Sequence, residues 1–243
     1  MRLLTYNIAY GTGGAASFAR QIWTVHRYLR APRTHLDRII RFISECDADI
    51  VGLVEVDTGS YRTGFINQVE SISHHLGHYH VSAIKYEHRS LGRALPIMKK
   101  QGNAIFCKDA IPENKLHYLP VGFKKLIIEA EIKGIRFFLV HLALQRRART
   151  VQLEHLTELA AGKKPVIIAG DFNCFGGPEE LAGIQKKLKL VNANQEGVSS
   201  YPSWKPSRQL DAILCSKSIK IKNFSIPKIH HSDHLPLILD FEI

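Results

Sequence analysis

Residues 2–9 alternate between apolar and polar side chains, the period-two pattern of a β-strand. Residues 10–33 follow as a long Gly-, Ala- and Arg-containing loop, with a short helix expected around Phe18–Leu29. In THLDRIIRFISEC, Leu36, Ile39, Ile40 and Ile43 recur at helical spacing, and Thr34 is suited to cap that helix. ADIVGLVEVD reads as a buried strand that ends in Glu55 and Asp57. Phe65–Leu76 reads as a helix, and HYHVSAIKY and QGNAIFCK as strands. KLIIEAEIKGIRFFLVHL has two apolar runs joined at Lys133-Gly134, the pattern of a hairpin. Arg146–Ala161 carries Leu153, Leu156 and Leu159 and stops at Gly162, as a helix does. KPVIIAGDFN predicts a strand, Pro178 opens a short helix to about Leu188, and RQLDAILCS, IKNFSI and HLPLILDFEI are the last strands.

Strands outnumber helices, and the helices come singly between them. No internal repeat or Pro/Ser/Gly linker divides the chain, and the basic, irregular segment 88–101 reads as a surface loop. The expectation is one α/β domain spanning residues 1–243, built on two packed sheets.

Composition adds a partner class. Lys plus Arg total 33 against 22 Asp plus Glu, a formal charge of +11. That balance favours polyanions: nucleic acid, anionic lipid or phosphorylated small molecules. Cys46, Cys107, Cys174 and Cys215 are scattered, which excludes a zinc ribbon or disulfide framework and suits reduced thiols in a cytoplasmic protein. Cys46 and Cys215 are expected in the core, and Cys174 beside a site. MRLLTYNIAYG turns polar by Thr5, too soon for a secretory leader, and no run is long enough to cross a membrane. A monomer is expected.

The polar exceptions to the apolar runs gather at strand ends. Asn7 sits near the end of the first, Glu55 ends the second, His141 lies towards the end of RFFLVHL, and Asp171 and Asn173 end PVIIAGDFN. Asp233 and His234 open the last strand, and Asp211 sits inside QLDAILCS. Alternation puts Asp171 and Asn173 on one side of an extended chain and returns Phe172 to the core. Asp211, flanked by apolar residues, needs a partner, and a histidine is the natural one. Any one of these residues alone reads as a turn residue or a satisfied core group. Together they offer hard oxygens of the kind Mg²⁺ prefers, and groups that move protons. That inventory suits hydrolysis of a phosphate ester.

In their order, TYN, GLVEVD, VHL, GDFN, LDAIL and SDHLP resemble the endonuclease/exonuclease/phosphatase (DNase I-like) superfamily, from Leu3 to Ile238. GDFN followed by SDH is the specific part. The resemblance implies a four-layer α/β sandwich, two packed mixed β-sheets flanked by helices, with the site at the sheet edges. It implies Mg²⁺-dependent phosphoesterase chemistry, with Mn²⁺ as a substitute. Glu55 would be the main metal ligand, with Asn7 and Asp233 assisting. Asp171 would align or deprotonate the attacking water, and Asn173 would hold phosphate or water. His234, oriented by Asp211, would donate to the phosphate or act as base. His141 would contact a phosphate oxygen or protonate the leaving group.

Exonuclease III-like repair enzymes carry an acidic residue or Asn two positions after the first-strand Asn, where this chain has Ala9, which argues against abasic-site repair. SSYPSWKPSRQLDAIL resembles a segment of bacterial members of undefined substrate. It puts Tyr201 and Trp204 either at the mouth of the cleft or packed on the sheet edge, with Arg208 as a phosphate contact. Arg146, Arg147 and Arg149 either touch a polyanion or form a solvated face. The leading expectation is hydrolysis of phosphodiesters in nucleic acid. The alternatives are a phospholipid or inositol-phosphate esterase, for which Phe18, Ile22 and Trp23 would form a membrane loop, and a non-catalytic binding protein on the same fold.

Overall fold

The structure is a computed structural model that describes residues 1–13, 29–85, 99–122 and 124–243. Nearly all of the helix expected around Phe18–Leu29, the suggested membrane loop and most of the segment 88–101 lie outside the described residues.

Twelve strands are described: β1 (Arg2–Asn7), β2 (Ile50–Asp57), β3 (Tyr79–Ile84), β4 (Gln101–Cys107), β5 (Glu113–Tyr118), β6 (Leu126–Ile132), β7 (Ile135–His141), β8 (Val166–Asp171), β9 (Leu190–Asn192), β10 (Asp211–Ser216), β11 (Lys220–Ser225) and β12 (Leu237–Glu242). They form two six-stranded sheets, ordered β11-β12-β1-β2-β4-β3 and β5-β6-β7-β8-β10-β9. Among the described residues, four α-helices cover them: α1 (Arg33–Cys46), α2 (Gln68–Leu76), α3 (Arg146–Ala160) and α4 (Ala182–Leu188).

Three apolar clusters separate the four layers. Between the sheets, Leu3, Ile50 and Ile105 meet Ile128, Phe137, Leu139 and Ile213. Beneath α1 and α2, Leu36, Ile39, Ile43, Val69 and Ile72 cover Leu4, Val51 and Phe106. Beneath α3 and α4, Leu153, Leu156 and Ile184 cover Phe138, Val140 and Ile168. Each such side chain contributes on the order of 1.5–3 kcal/mol through removal from water.

The sheets are mixed, and each has one parallel pair near its middle: β1 with β2, and β7 with β8. Parallel neighbours need a crossover, which α1 and α3 supply. Two β-α-β units therefore deliver their C-terminal strand ends to the same edge of the sandwich, where ligands of open α/β sheets bind. That places Asn7, Glu55, His141 and Asp171 within one neighbourhood.

The hairpin predicted at Lys133-Gly134 is present: Ile132 pairs Ile135, and both turn residues have positive φ (50° and 80°), as a type I′ turn requires. Other boundaries shift. α1 starts at Arg33, with Pro32 in the cap position and no side-chain cap, so Thr34 lies inside its first turn. α2 starts at Gln68, capped by the Asn67 side chain, which accepts from the Val69 and Glu70 N–H groups. The helix opened by Pro178 is a 3₁₀ turn over Pro178–Leu181 that runs into α4. β5 and the three-residue β9 have no counterpart in the hydrophobic pattern; β5 is a largely exposed edge strand with no apolar stripe to announce it. No described helix is long and apolar enough to cross a membrane.

Candidate active site

Two backbone devices shape the site. At Glu55, the β2–β4 register shifts between Val54 and Val56, and Glu55 takes φ 59°. This β-bulge re-aims the Glu55 side chain, and the Asn103 Oδ1 accepts the displaced Glu55 N–H at 3.3 Å. At Gly170, φ is +136°, and a Cβ would lie 2.1 Å from the Val140 carbonyl oxygen. Only glycine lets β7 and β8 approach this closely, in the register that sets His141 opposite Asp171.

Asp171 is 1% exposed and lies at the centre of the cluster. Its Oδ2 accepts from Asn7 Nδ2 at 3.0 Å and lies 3.3 Å from His141 Nε2 and 3.9 Å from His234 Nε2. Its Oδ1 accepts the Asn173 N–H at 3.0 Å. β8 ends at Asp171, and Asn173 turns to φ 54°, so the two do not continue one extended strand. The Asn173 Nδ2 donates to the Leu142 carbonyl at 2.9 Å, fixing the loop, while Phe172 returns to the core. The Asp171 carboxyl lies far below the usual range: burial would raise it, but His234, His141 and Lys124 outweigh that.

The partner sought for Asp211 is His234. The His234 Nδ1–H donates to Asp211 Oδ2 at 2.7 Å, and Ser200 Oγ donates to the same oxygen at 2.6 Å. Burial would depress His234, but Asp211, Asp171 and Asp233 raise it to about 10, so it is an imidazolium at neutral pH. Asp233 and His234 do not open β12, which begins at Leu237; they stand in the preceding loop. Asp233 Oδ1 accepts from Ser232 Oγ at 3.1 Å, and burial pushes its carboxyl up despite His234, with Glu55 adding repulsion.

Lys85 and Lys124 stand beside the other histidine, and sequence reasoning missed both. Glu55 Oε1 lies 3.8 Å from Lys85 Nζ, 3.7 Å from Lys124 Nζ and 3.7 Å from His141 Nε2. Lys85 Nζ donates to Tyr10 Oη at 3.0 Å and lies 3.2 Å from His141 Nδ1, while Lys124 Nζ approaches His141 Nε2. Burial and the two ammonium groups hold His141 down to about 3, so it is neutral. Glu55 would be raised by burial, but Lys85, Lys124 and His141 bring it to about 2. Burial lowers Lys85 to about 8, against the pull of Glu55. Neither lysine stands in a motif; the only signal was that Lys85 lies near the end of the strand expected over HYHVSAIKY, and it directly follows β3.

The donor set fits a hard divalent cation. Among the described residues no hydrogen bond reaches the Glu55 oxygens, which are met only by the Lys85 and Lys124 ammonium groups and the His141 ring at 3.7–3.8 Å. Asp171 and Asp233 add carboxylate oxygens, and Asn7 an amide oxygen that also accepts the Ala9 N–H at 3.0 Å. Asp171, Asp211 and His234 also bring three ligand atoms within 4.8 Å, but the Asp211–His234 hydrogen bond occupies two of those groups.

At the rim, the Tyr201 ring lies 4.8 Å from the His234 ring and edge-on to Phe175 at 6.4 Å. The Arg208 guanidinium stands 5.5 Å above Phe175 and donates to its carbonyl at 3.2 Å. Phe175 is 40% exposed, and nothing in its sequence context singles it out. Trp204 is half-buried and, among the described residues, packs its ring against none of these side chains. Cys174 is buried against the α3–α4 core, its thiol pushed up to about 12 by burial, so it does not line the site. Arg149 belongs to neither reading of its face: it is buried and forks onto Glu180 at 2.7–2.9 Å.

A two-sheet sandwich whose paired β-α-β edges converge on buried carboxylates and histidines defines a class of phosphoesterases. The chain belongs to the Endonuclease/Exonuclease/phosphatase family, whose model matches residues 4–234. Similar solved structures include a functionally unknown conserved protein from Enterococcus faecalis (16% identity, TM-score 0.75, covering 100% of this chain and 99% of that one). A mannosyl-6-phosphatase from Bacteroides thetaiotaomicron is similar at 17% identity and TM-score 0.72, over 100% of both chains. The catalytic domain of human Nocturnin with bound sulfate is similar at 20% identity and TM-score 0.68, covering 100% and 94%. At these identities the likeness concerns the fold. No curated protein sequence matches the chain.

Proposed function

We propose that the chain is a Mg²⁺-dependent hydrolase of phosphodiester bonds in nucleic acid, with Mn²⁺ able to substitute. The observation that carries the chemistry is the convergence on Asp171 Oδ2 of Asn7, a neutral His141 and a cationic His234, with Glu55 Oε1 3.7 Å from the same His141 Nε2 that faces Asp171. Glu55, assisted by Asn7 and Asp233, would hold the metal, which when bound supplies charge neutralisation at the phosphoryl oxygens.

The charge states divide the remaining work. His234 is stored as an imidazolium by Asp211, so its Nε2–H donates to a phosphoryl oxygen as negative charge grows there. Asp171 is ionised and accepts from the attacking water, aligning it and receiving its proton. Asn173 keeps the Asp171 loop in place and offers its amide to water or phosphate. His141, neutral, donates a hydrogen bond from its N–H to a phosphoryl oxygen or to the leaving-group oxygen.

Nucleic acid is favoured by the +11 charge and by the rim. Phe175 and Tyr201 present aromatic faces beside His234, with Arg208 over one of them, which suits an unstacked base next to the scissile phosphate. The test incubates single- and double-stranded DNA and RNA with the protein and Mg²⁺ or Mn²⁺. Cleavage that disappears with EDTA and in Asp171→Ala is expected. If all four stay intact while small phosphate esters are hydrolysed, the substrate assignment falls and ester hydrolysis stands. If neither class is hydrolysed, the whole reading falls.

A further inference from the structure

Donor and acceptor arithmetic around His141 does not close. A neutral imidazole has one N–H and one acceptor nitrogen. Its Nδ1 faces the Lys85 ammonium at 3.2 Å, and its Nε2 faces Asp171 Oδ2 at 3.3 Å. The consistent tautomer therefore accepts from Lys85 at Nδ1 and donates to Asp171 from Nε2. Lys124 Nζ also approaches Nε2, where that tautomer offers it no lone pair. What holds the Lys124 ammonium there is charge alone: Glu55 at 3.7 Å and ionised Asp171 beyond it.

The two lysines are held unequally. The Lys85 side chain is 4% exposed and tied to the Tyr10 hydroxyl at 3.0 Å as well as to His141. The Lys124 side chain is 21% exposed, and no hydrogen bond to a carboxylate or carbonyl oxygen anchors its ammonium among the described residues. Lys85 is fixed; Lys124 can leave.

We propose that Lys124 is the resident counter-cation of Glu55: a divalent cation binds by displacing its ammonium, which is then free to take an oxygen of the bound phosphate. The inference rests on the metal assignment above and deepens it. A divalent ion and an ammonium beside one carboxylate repel each other, so metal binding and Lys124–Glu55 pairing exclude one another. Once released, Lys124 carries an unpaired charge at the mouth of the site, where a phosphoryl group must sit. Lys124 thus weakens metal binding in the free protein and strengthens anion binding in the metal-loaded one.

Those opposite signs make the test. Mn²⁺ affinity is measured by electron paramagnetic resonance and calorimetry on the wild type, Lys124→Met, Lys124→Arg and Glu55→Gln, with folding checked by circular dichroism. Inorganic phosphate affinity is then measured with Mn²⁺ saturating. Lys124→Met is expected to bind Mn²⁺ about tenfold more tightly and phosphate about tenfold more weakly than the wild type. Lys124→Arg, which keeps the charge, is expected to restore both values towards the wild type. Wild-type Mn²⁺ binding that Lys124→Met leaves unchanged or weakens overturns the displacement and leaves the metal assignment standing. Wild-type binding no different from Glu55→Gln overturns the metal assignment itself.

Discussion

His141 and His234 flank the same carboxylate oxygen, at 3.3 and 3.9 Å, and both are buried, yet they hold opposite charge states. His141 sits between two ammonium groups and is held down to about 3. His234 sits among Asp211, Asp171 and Asp233 and is raised to about 10. Burial alone would make both neutral. The difference comes from what each strand end or loop brings alongside. β7 puts His141 against the lysines, and the loop before β12 puts His234 against Asp211. One carboxylate is thus bracketed by a neutral ring and a cationic one, the pairing that separates acid from base roles.

The comparison breaks most severely at Asp171, the group both rings share. Asp171→Asn is expected to lower kcat by about 10⁴-fold at saturating metal, as removal of a central catalytic group does. Steady-state kinetics on a cleaved oligonucleotide checks it, and a loss under tenfold would place the chemistry elsewhere.

Removing the orienting partner of one ring should cost less and make the two histidines alike. Asp211→Asn is expected to return His234 towards its ordinary range and lower kcat by about 10²-fold. Imidazole ¹⁵N chemical shifts at pH 7 should then show both rings neutral, whereas the wild type shows one cationic. The smallest kinetic effect is expected at the rim. Phe175→Ala should raise KM for nucleic acid about tenfold and leave kcat near wild type.

The pH dependence of stability sharpens the same contrast, with shifts of about 3 °C expected for each kcal/mol involved. His234 is raised from 6.5 to about 10, so its contribution is full below pH 6.5 and is lost as pH climbs towards 10. Lys85, lowered from 10.5 to about 8, works the other way between those values, so the His234 effect is read as the wild type minus His234→Gln. His141 is lowered from 6.5 to about 3, so the protein loses stability as pH falls through that window, and His141→Gln should flatten the acid limb. Melting curves from pH 3 to 10 on the three proteins check both signs.

Much of the architecture was legible from the chain. Long apolar runs with strand period gave the central strands, and the helical stripe at Leu36, Ile39, Ile40 and Ile43 gave α1. The polar residues ending those runs were found because a carboxylate or histidine in an apolar context demands a partner; Asp211 is the clearest case, since its buried position called for the histidine it has. Lys85 and Lys124 were not legible, because a lysine in a basic chain looks like surface, and only folding brings β3 and the segment before β6 against His141. Phe175 escaped for a similar reason: its partners Tyr201 and Arg208 lie more than twenty residues downstream. The bulge at Glu55 was invisible because it is a register slip against β4, a property of two strands together.

Gly170 carries no functional group, yet it sets the gauge of the reaction centre. With a methyl there, 2.1 Å from the Val140 carbonyl oxygen, β7 and β8 would have to splay beside the residues that carry the imidazole and the carboxylate. The separation between the His141 ring and the Asp171 carboxylate is therefore machined by main-chain contact, and a side chain with no chemistry would disturb the site while leaving every polar atom present.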